Sequence, residues 1–253
     1  MRYFVQYGVL GLAVVLFGTG CGTAPVKPEP LIPPKRPAGE IVREDVDYPI
    51  EVYDPWEPMN RRIYLFNARF DEFVFLPVVR AYAWITPDFV ERGVSNFYDN
   101  VGEVSNLTNN LLQFKFKRFF KTAGRVLLNT TFGLLGLIDV ATDIGIQRQN
   151  EDFGQTLGFY GFGAGPYLVL PFAGPSNLRD AAGLALDSLV FYYLDPFNFE
   201  NNDAYYYYYP YLALYAVDAR HKMSFRYYRT GSPFEYELIR LLYHEGRLLM
   251  IQK

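Results

Sequence analysis

Glycine and proline interrupt an unusually apolar stretch between residues 156 and 183, TLGFYGFGAGPYLVLPFAGPSNLRDAAG. The segment is too apolar for a solvated loop, and its glycines and prolines disfavour an ordinary long helix or strand. The two prolines that flank YLVL stop that run from extending. Irregular backbone in an apolar setting is tolerated where it is buried in protein or lines a cavity. We therefore predict that the segment forms part of a wall along a path. The residues of this predicted wall are Gly158, Tyr160, Gly161, Gly163, Gly165, Pro166, Tyr167 and Pro171.

The N-terminus has the pattern of a bacterial lipoprotein signal. Arg2 precedes an apolar run over residues 8–17, which is short for a membrane span and typical of a signal peptide. Small residues then lead into Cys21, the single cysteine, so no internal disulfide can form. We predict a signal peptide over 1–20 and lipidation of Cys21, although Gly18 stands where such signals usually carry leucine. An ordinary signal peptide with an incidental thiol is the alternative.

A proline-rich segment follows the cysteine. Residues 22–49 contain seven prolines, which favour extended polyproline conformation and oppose a packed element. At about 3.1 Å per residue this tether reaches tens of ångströms. We predict a lipidated cysteine with its tether over 21–52 and one folded domain over 53–253.

Helical periodicity begins near Asp54. That residue is placed to cap a helix, with Pro55 in the first turn and Glu57 three residues after the cap. A second helix is predicted after Thr86 as the cap and Pro87. The apolar face of the first helix consists of Ile63, Phe66, Phe70, Phe73 and Val74, and that of the second consists of Val90, Val94, Phe97, Val101 and Val104.

A third helix, over about 114–128, is basic and aromatic. Its apolar stripe consists of Leu112, Phe116, Phe119, Phe120, Ala123, Val126 and Leu127. Its polar side carries Lys115, Lys117, Arg118, Lys121 and Arg125, which we predict face lipid headgroups. Such a helix can lie at a membrane interface with cations toward phosphates and rings toward acyl chains. The alternative is a core helix with a solvated basic face.

The remaining segments also favour helices. Residues 132–145 predict a short buried or re-entrant helix, and GLALDSLVFYYLDP predicts another amphipathic one. Five tyrosines at 205–209 indicate either an aromatic belt or a crowded loop, before a helix to about Arg229 and a last one from Phe234 to Met250. The sequence shows no alternation of strands and helices, so a parallel sheet is not expected. The expected fold is a mainly α single domain of amphipathic helices.

Catalytic and metal-binding patterns are missing from the sequence. It has two histidines, no HExxH motif and no cysteine cluster, so no metal or other cofactor is expected. No G-x-S-x-G motif occurs, and Ser176 is the nearest imitation of a hydrolase nucleophile. We expect no enzyme. A net charge of −3 also argues against nucleic-acid binding.

Five blocks carry a family resemblance. They are DPWEPMNRRIYLFN, VSNFYDNVGEVSNLTNNLLQ, RFFKTAGRVLLNTTFGLLGLIDVAT, EDFGQTLGFYGFGAGPYLVLPFAGPSNLRDAAG and FEYELIRLLYHEGR. In that order they resemble the MlaA (VacJ) family of outer-membrane lipoproteins. The matched structural-motif residues include Asp54, Pro55, Asn60, Asn67, Arg179 and Asp180. The sequence departs from the family pattern at two places. The Asp-Pro-Tyr phrase usual before the last helix appears here as Phe234 to Tyr236, and the acidic tail that some members carry is not seen.

The resemblance implies a ring-like helical protein, embedded from the periplasmic side in the inner leaflet of the outer membrane, with a central amphipathic channel. It further implies that misplaced outer-leaflet phospholipids pass through the channel to a periplasmic, MlaC-like lipid carrier, and that the protein associates with a trimeric porin. A scaffolding lipoprotein that binds porins without moving lipid is the alternative. A lipid hydrolase acting through Ser176 is a third and remoter one.

Overall fold

In the computed structural model, the described residues are 52–194, 197, 205–229 and 231–252. They are mainly helical, as expected. The predicted signal peptide, Cys21 and the tether up to residue 51 lie outside the described residues. The helices are α1 Glu57–Phe70, α2 Leu76–Ile85, α3 Asp88–Leu112, α4 Phe116–Thr131, α5 Val140–Asp143, α6 Phe153–Phe159, α7 Leu178–Leu194, α8 Tyr205–His221 and α9 Glu235–Ile251. A π-helical turn, Asp71–Phe75, joins α1 to α2. Within the described ranges, every helix is too short or too polar to cross a bilayer.

The run YLVL forms half of an antiparallel hairpin. Strand β1, Tyr167–Leu170, pairs with β2, Gly174–Asn177. Two asparagines of α1, two helical turns apart, cover the other edge of β1. Asn60 donates to the Tyr167 carbonyl and accepts from Val169 N–H, and Asn67 does the same with Leu170 and Phe172. Because these amides take the place of a neighbouring strand, the edge of this hairpin has no unpaired backbone at these positions.

An aromatic core joins α1, β1 and α9. We call it the tyrosine cluster, and its buried members are Val52, Tyr64, Tyr167, Val169 and Tyr236. The Tyr236 ring meets the rings of Tyr64 and Tyr167 edge to face, with centroids 5.7 and 6.1 Å apart. The Tyr64 hydroxyl donates to Glu235 Oε1 at 2.8 Å. Edge-to-face ring packing, with the Tyr64 hydroxyl bonded to a carboxylate, allows a core to form from amphipathic side chains.

Helices α6 and α7 cross with backbone against backbone. A Cβ added to Gly183 would lie 2.3 Å from the Gly154 nitrogen. No side chain fits at that distance, so the crossing requires glycine. Gly158, one of the predicted wall glycines, is closely packed as well, because a Cβ there would lie 2.5 Å from Ile251 Cδ1.

Several predicted boundaries were wrong. Helix α1 begins at Glu57 after Trp56, and Asp54 does not cap it, because its carboxylate accepts from Asn60 and Tyr236 instead. Helix α3 begins at Asp88 after Pro87, while Thr86 ends α2. Segment 132–145 is mostly turns, and only Val140–Asp143 is α-helical. The tyrosine run is helical, since 205–209 opens α8, and so it is not a loop.

Candidate functional site

The interior side of α4 is polar. Its buried residues are Thr122, Arg125 and Asn129, spaced three and four apart, whereas the large apolar side chains point away from the protein. Phe116, Phe120 and Leu127 are 52, 70 and 66% exposed. The alternative of a core helix with a solvated basic face is therefore wrong, because the apolar stripe does not pack into the core.

A similar inversion occurs in α3, and α1 shows it only in part. Helix α1 buries Asn60 and Asn67 together with Tyr64 and Ala68, and leaves Phe66 exposed. Helix α3 buries a stripe rich in amides and exposes Val90, which belongs to its apolar face. The buried polar residues of α3 are Glu103, Asn106, Asn109 and Asn110. A folded domain in water buries apolar stripes, so helices that bury polar ones are suited to apolar surroundings.

Three of the five predicted headgroup-facing cations are engaged inside the protein. Arg125 is 2% exposed and pairs with Glu103 and Asp139 at 2.8 and 3.0 Å. Lys115 and Arg118 both pair with the buried carboxylate of Glu151. The prediction that it faces headgroups was wrong for Arg125, because two carboxylates hold its guanidinium inside the protein. Lys115 and Arg118 are partly exposed, and their role toward headgroups stays a prediction.

Lys117 and Lys121 are the exposed cations of that prediction. They lie about two turns and about one turn before Arg125 on α4. Their role toward headgroups stays a prediction.

Arg125 organises a buried network, which we call the polar centre and define as Glu103, Asn106, Arg125, Asn129 and Asp139. Arg125 Nε donates to Glu103 Oε1, and Asn106 donates to Glu103 Oε2 at 2.7 Å. Asn129 donates to Asp139 and accepts from the Ala141 N–H. Buried charges are stable only when paired and hydrogen-bonded, and each carboxylate here has both kinds of partner.

The hydrogen bonds of the polar centre keep Asp139 ionised. Burial alone would raise the pKa of Asp139, but donors from Thr142, Asn129 and Arg125 outweigh it and lower the pKa to about 2. For Arg125, burial alone would lower the pKa, and Glu103 and Asp139 reverse this and raise it. Both groups are therefore charged at neutral pH, and the pair is stabilised by their attraction.

A cavity of about 660 Å³ opens beside the polar centre. Helices α3, α7 and α8 enclose it with a mostly apolar wall. The wall includes Tyr98, Val101, Val104, Leu184, Val190, Phe191, Tyr211, Leu212 and Tyr215. Burial raises the pKa of both Tyr98 and Tyr211 to about 12, so these phenols stay neutral at physiological pH. A long apolar wall of this kind suits a hydrocarbon chain.

Charged side chains also belong to the cavity lining. Arg148, Asp99 and Asp187 all contribute to it. Asp187 is held by hydrogen bonds from the Ser105 hydroxyl, the Asn109 amide and the Phe153 N–H. The Arg148 guanidinium pairs with Asp99 at 2.6 Å. The cavity is therefore amphipathic, and one guanidinium is the cation among its described lining residues.

None of the eight predicted wall residues lines this cavity. Tyr167 is buried in the tyrosine cluster, and Tyr160 and Pro171 are exposed. Gly161 and Gly163 are exposed too, and a Cβ at either would meet nothing within 4 Å. Neither glycine is therefore required by close packing, although the positive φ of Gly161, 85°, favours glycine there. The other residues of the predicted wall, Gly158, Gly165 and Pro166, also lie outside this lining.

Two predicted motif residues fasten the glycine-rich segment to α9. Asp180 accepts hydrogen bonds from Asn177, Tyr243 and Arg247, and Arg179 donates to the Phe162 carbonyl. Asp54 makes the corresponding contacts nearer the start of α9, with Tyr236 and Arg240. Pro55 lies exposed in the turn before α1. These residues hold elements together and none contributes to the cavity lining.

Sequence reasoning missed the buried amides and Arg148. The amides share the segment SNLTNNLLQ, where asparagines at 106, 109 and 110 have helical spacing. A stripe of amides on a helix is a signal for a polar interior, which an apolar-periodicity search does not detect. Arg148 had no local signal, because its importance depends on contacts with α3.

The remote nucleophile candidate is enclosed. Ser176 is buried in β2 and its hydroxyl contacts the Asn177 carbonyl. In the described parts of the chain, no three His, Cys, Asp or Glu side chains are grouped so as to hold a metal ion.

Comparison with known proteins yields consistent matches. A sequence profile described as "MlaA lipoprotein" matches residues 52–249. The "Intermembrane phospholipid transport system lipoprotein MlaA" of Escherichia coli (strain K12) is 39% identical over 141 residues, 51% of this chain and 53% of that protein. Its Haemophilus influenzae counterpart of the same name is 32% identical over 55% of this chain and 57% of that protein. An "Uncharacterized protein" of Rickettsia prowazekii is 39% identical over 56% of this chain and 59% of that protein. The chain thus spans less than two thirds of the length of these curated relatives.

One solved structure also matches. It is described as "Structural basis for maintenance of bacterial outer membrane lipid asymmetry" and superposes with a TM-score of 0.64 at 28% identity. The match covers 79% of this chain and all of that one.

Proposed function

This chain belongs to the MlaA lipoprotein family, and on that premise we propose that it removes mislocalised phospholipid from the outer leaflet of the outer membrane. In this proposal the lipid passes to a periplasmic, MlaC-like carrier, and outer-membrane lipid asymmetry is maintained. The relatives named for intermembrane phospholipid transport support this assignment. Lipidation of Cys21 would anchor the protein, and a trimeric porin would be its partner in the membrane.

The amphipathic cavity is the observation that carries the proposal. Its volume of about 660 Å³ lies within the range of about 300–1,000 Å³ typical of ligand sites. Aliphatic and aromatic side chains would contact acyl chains, and the charged part of the lining would contact a headgroup. A phospholipid has this same division between apolar and charged parts.

The exposed apolar surface supports a location in lipid. Phe120, Phe132 and Leu135 are each at least 70% exposed, on α4 and the turns that follow it. Exposing rings of this size to water is unfavourable, whereas acyl chains accommodate them. Because the polar centre lies on the inner side of the same helix, we propose that α4 lies against the membrane with its rings toward the acyl chains. Lys117 and Lys121 would then reach phosphates.

We propose no catalytic role. The family is one of transport lipoproteins, and the chain carries no nucleotide-binding loop motif, so lipid movement at this step would be passive and driven by partners. The scaffolding role remains the competing function. It predicts porin binding without dependence on the cavity.

The test measures outer-leaflet phospholipid in whole cells with a membrane-impermeant, headgroup-reactive probe. A deletion strain is complemented with the wild type, with Cys21→Ala or with Val101→Trp. Val101 lines the cavity, so a tryptophan there would fill part of it. Val90→Trp is the matched control, since Val90 lies on the same helix and is exposed outside the cavity.

We expect phospholipid to rise on deletion and to be restored by wild type and Val90→Trp, but not by the other two variants. If deletion leaves the outer leaflet unchanged, the scaffolding function takes precedence. Full restoration by Val101→Trp would remove the cavity from the lipid path.

A further inference from the structure

Arg148 differs from Arg125 in how it is held. Arg125 donates to Glu103, Asp139, Thr142 and the Ile146 carbonyl, so it cannot leave without stranding buried partners. Arg148 makes an ion pair with Asp99 and lies 3.7 Å from Glu103, but its Nε has no hydrogen-bond partner among the described residues. The Arg148 guanidinium therefore has donor capacity that the fold does not use.

The carboxylates next to Arg148 are satisfied without it. Asp99 also accepts from Lys222 Nζ at 3.1 Å, and Glu103 retains both Arg125 and Asn106. If Arg148 moved to another anion, neither carboxylate would be left unpaired. A cation that can exchange partners at low cost is suited to binding a ligand, whereas Arg125 is suited to holding the fold.

Gly102 allows the guanidinium to lie against α3. A Cβ at this position would be 2.7 Å from Arg148 Nη2, so any larger residue would push the guanidinium away. Both Gly102 and Arg148 line the cavity. The arginine is thus seated in a space that only glycine leaves open, next to an apolar wall formed by residues such as Val101 and Val104.

We propose that Arg148 is the phosphate-binding residue of the cavity and that it selects amphiphiles carrying a phosphodiester. This inference rests on the proposed function and specifies the part of the lipid that the cavity recognises. The phosphate takes the guanidinium from Asp99, which keeps Lys222 as its partner, while the acyl chains lie along the apolar wall. A guanidinium matches the spacing of two phosphate oxygens, which a single ammonium does not.

The test measures Kd for a phosphatidylglycerol with one fluorescent acyl chain, using the purified full-length protein in detergent micelles. Diacylglycerol with the same chains is the probe that lacks phosphate. Arg148→Gln is expected to raise Kd for phosphatidylglycerol on the order of tenfold, the effect of losing a charge-assisted hydrogen bond, and to leave diacylglycerol binding unchanged. The Kd of Arg148→Lys for phosphatidylglycerol should fall between those of the wild type and Arg148→Gln. Asp99→Asn should lower Kd, because it removes the competing carboxylate.

Arg92→Gln is the matched control, since it removes an exposed arginine from α3, the helix that Arg148 contacts, at a position outside this cavity, and it should change neither Kd. Equal phosphatidylglycerol binding by wild type and Arg148→Gln would overturn the assignment of Arg148 and leave lipid transport standing. Failure of the wild type to bind either lipid would instead overturn the proposed function. Displacement of the lipid by millimolar inorganic phosphate would assign the site to free phosphate and overturn selection of an amphiphile.

Discussion

The tyrosine cluster and the polar centre are two interiors built on different chemistry within the same chain. In the tyrosine cluster, rings from α1, β1 and α9 pack edge to face, and the hydroxyls of Tyr64 and Tyr236 donate to carboxylates at the margin. In the polar centre, α3 and α4 meet through charges and amides, and the rings of α4 point outward. The first resembles the interior of a water-soluble domain, and the second resembles that of a protein surrounded by lipid.

This difference shows which interactions each region depends on. Apolar packing is non-directional and tolerates small changes in shape, whereas a buried ion pair loses its stabilisation when either partner is removed. We therefore expect single substitutions in the polar centre to cost more than comparable ones in the tyrosine cluster.

The largest effect is expected from Arg125→Met. It would leave Glu103 buried without its closest cation, at a cost of about 3–5 kcal/mol in the free energy of unfolding. The thermal midpoint in detergent should fall by roughly 6–20 °C, read by circular dichroism. Arg125→Lys keeps the charge and should lose less. An unchanged midpoint for Arg125→Met would mean that the polar centre does not depend on its ion pairs.

A smaller loss is expected from Tyr64→Phe in the tyrosine cluster. The substitution keeps the ring and removes only the hydrogen bond to Glu235, which also accepts from the Tyr228 N–H. A hydrogen bond to a charged group contributes about 1.5–3 kcal/mol, so the same thermal measurement should give a smaller shift than Arg125→Met. A larger shift than that of Arg125→Met would reverse the comparison of the two regions.

Acid should weaken the polar centre through Asp139. The pKa of this carboxyl is about 2 in the folded protein against an ordinary 3.8. A carboxyl whose pKa is lower in the folded protein stabilises the fold fully at pH above its unfolded-state pKa. This stabilisation is lost as pH falls toward the folded-state pKa. Urea midpoints should therefore decrease between about pH 4 and pH 2. Asp139→Asn should be less stable at neutral pH and show a shallower decrease, and an equal decrease in both proteins would exclude this carboxyl as the cause.

The smallest effect on stability is expected at two exposed lysines of α4. Changing Lys117 and Lys121 together to Gln should alter the unfolding free energy by no more than about 0.5 kcal/mol, because both side chains are exposed. Binding to anionic vesicles should nevertheless weaken by about tenfold or more, since each lysine near such a surface contributes about 1 kcal/mol. Changing both lysines to Arg keeps the two charges and serves as the control. Unchanged vesicle binding by the Gln variant would show that these two lysines of α4 do not contact lipid headgroups.

Much of the fold was predictable from local patterns. The helical periodicity of α3, α4 and α9 and the prolines around YLVL indicated elements that the structure contains. The site was less predictable. Asn60 and Asn67 were identified through the family motif, yet their role as substitutes for a neighbouring strand depends on β1, more than a hundred residues away along the chain. Arg148 was recognised as a site residue only from its contacts with Gly102 and Asp99 in the folded protein.

The sequence by itself determined where helices form and which family the chain belongs to, because periodicity, turn residues and ordered motifs are properties of neighbouring positions. Only the tertiary structure decided which side of each helix faces inward. An amphipathic pattern separates two faces without stating which solvent surrounds the protein. Buried partners such as Glu103 and Glu151, distant from α4 in the chain, turn its polar side inward and leave its rings outside.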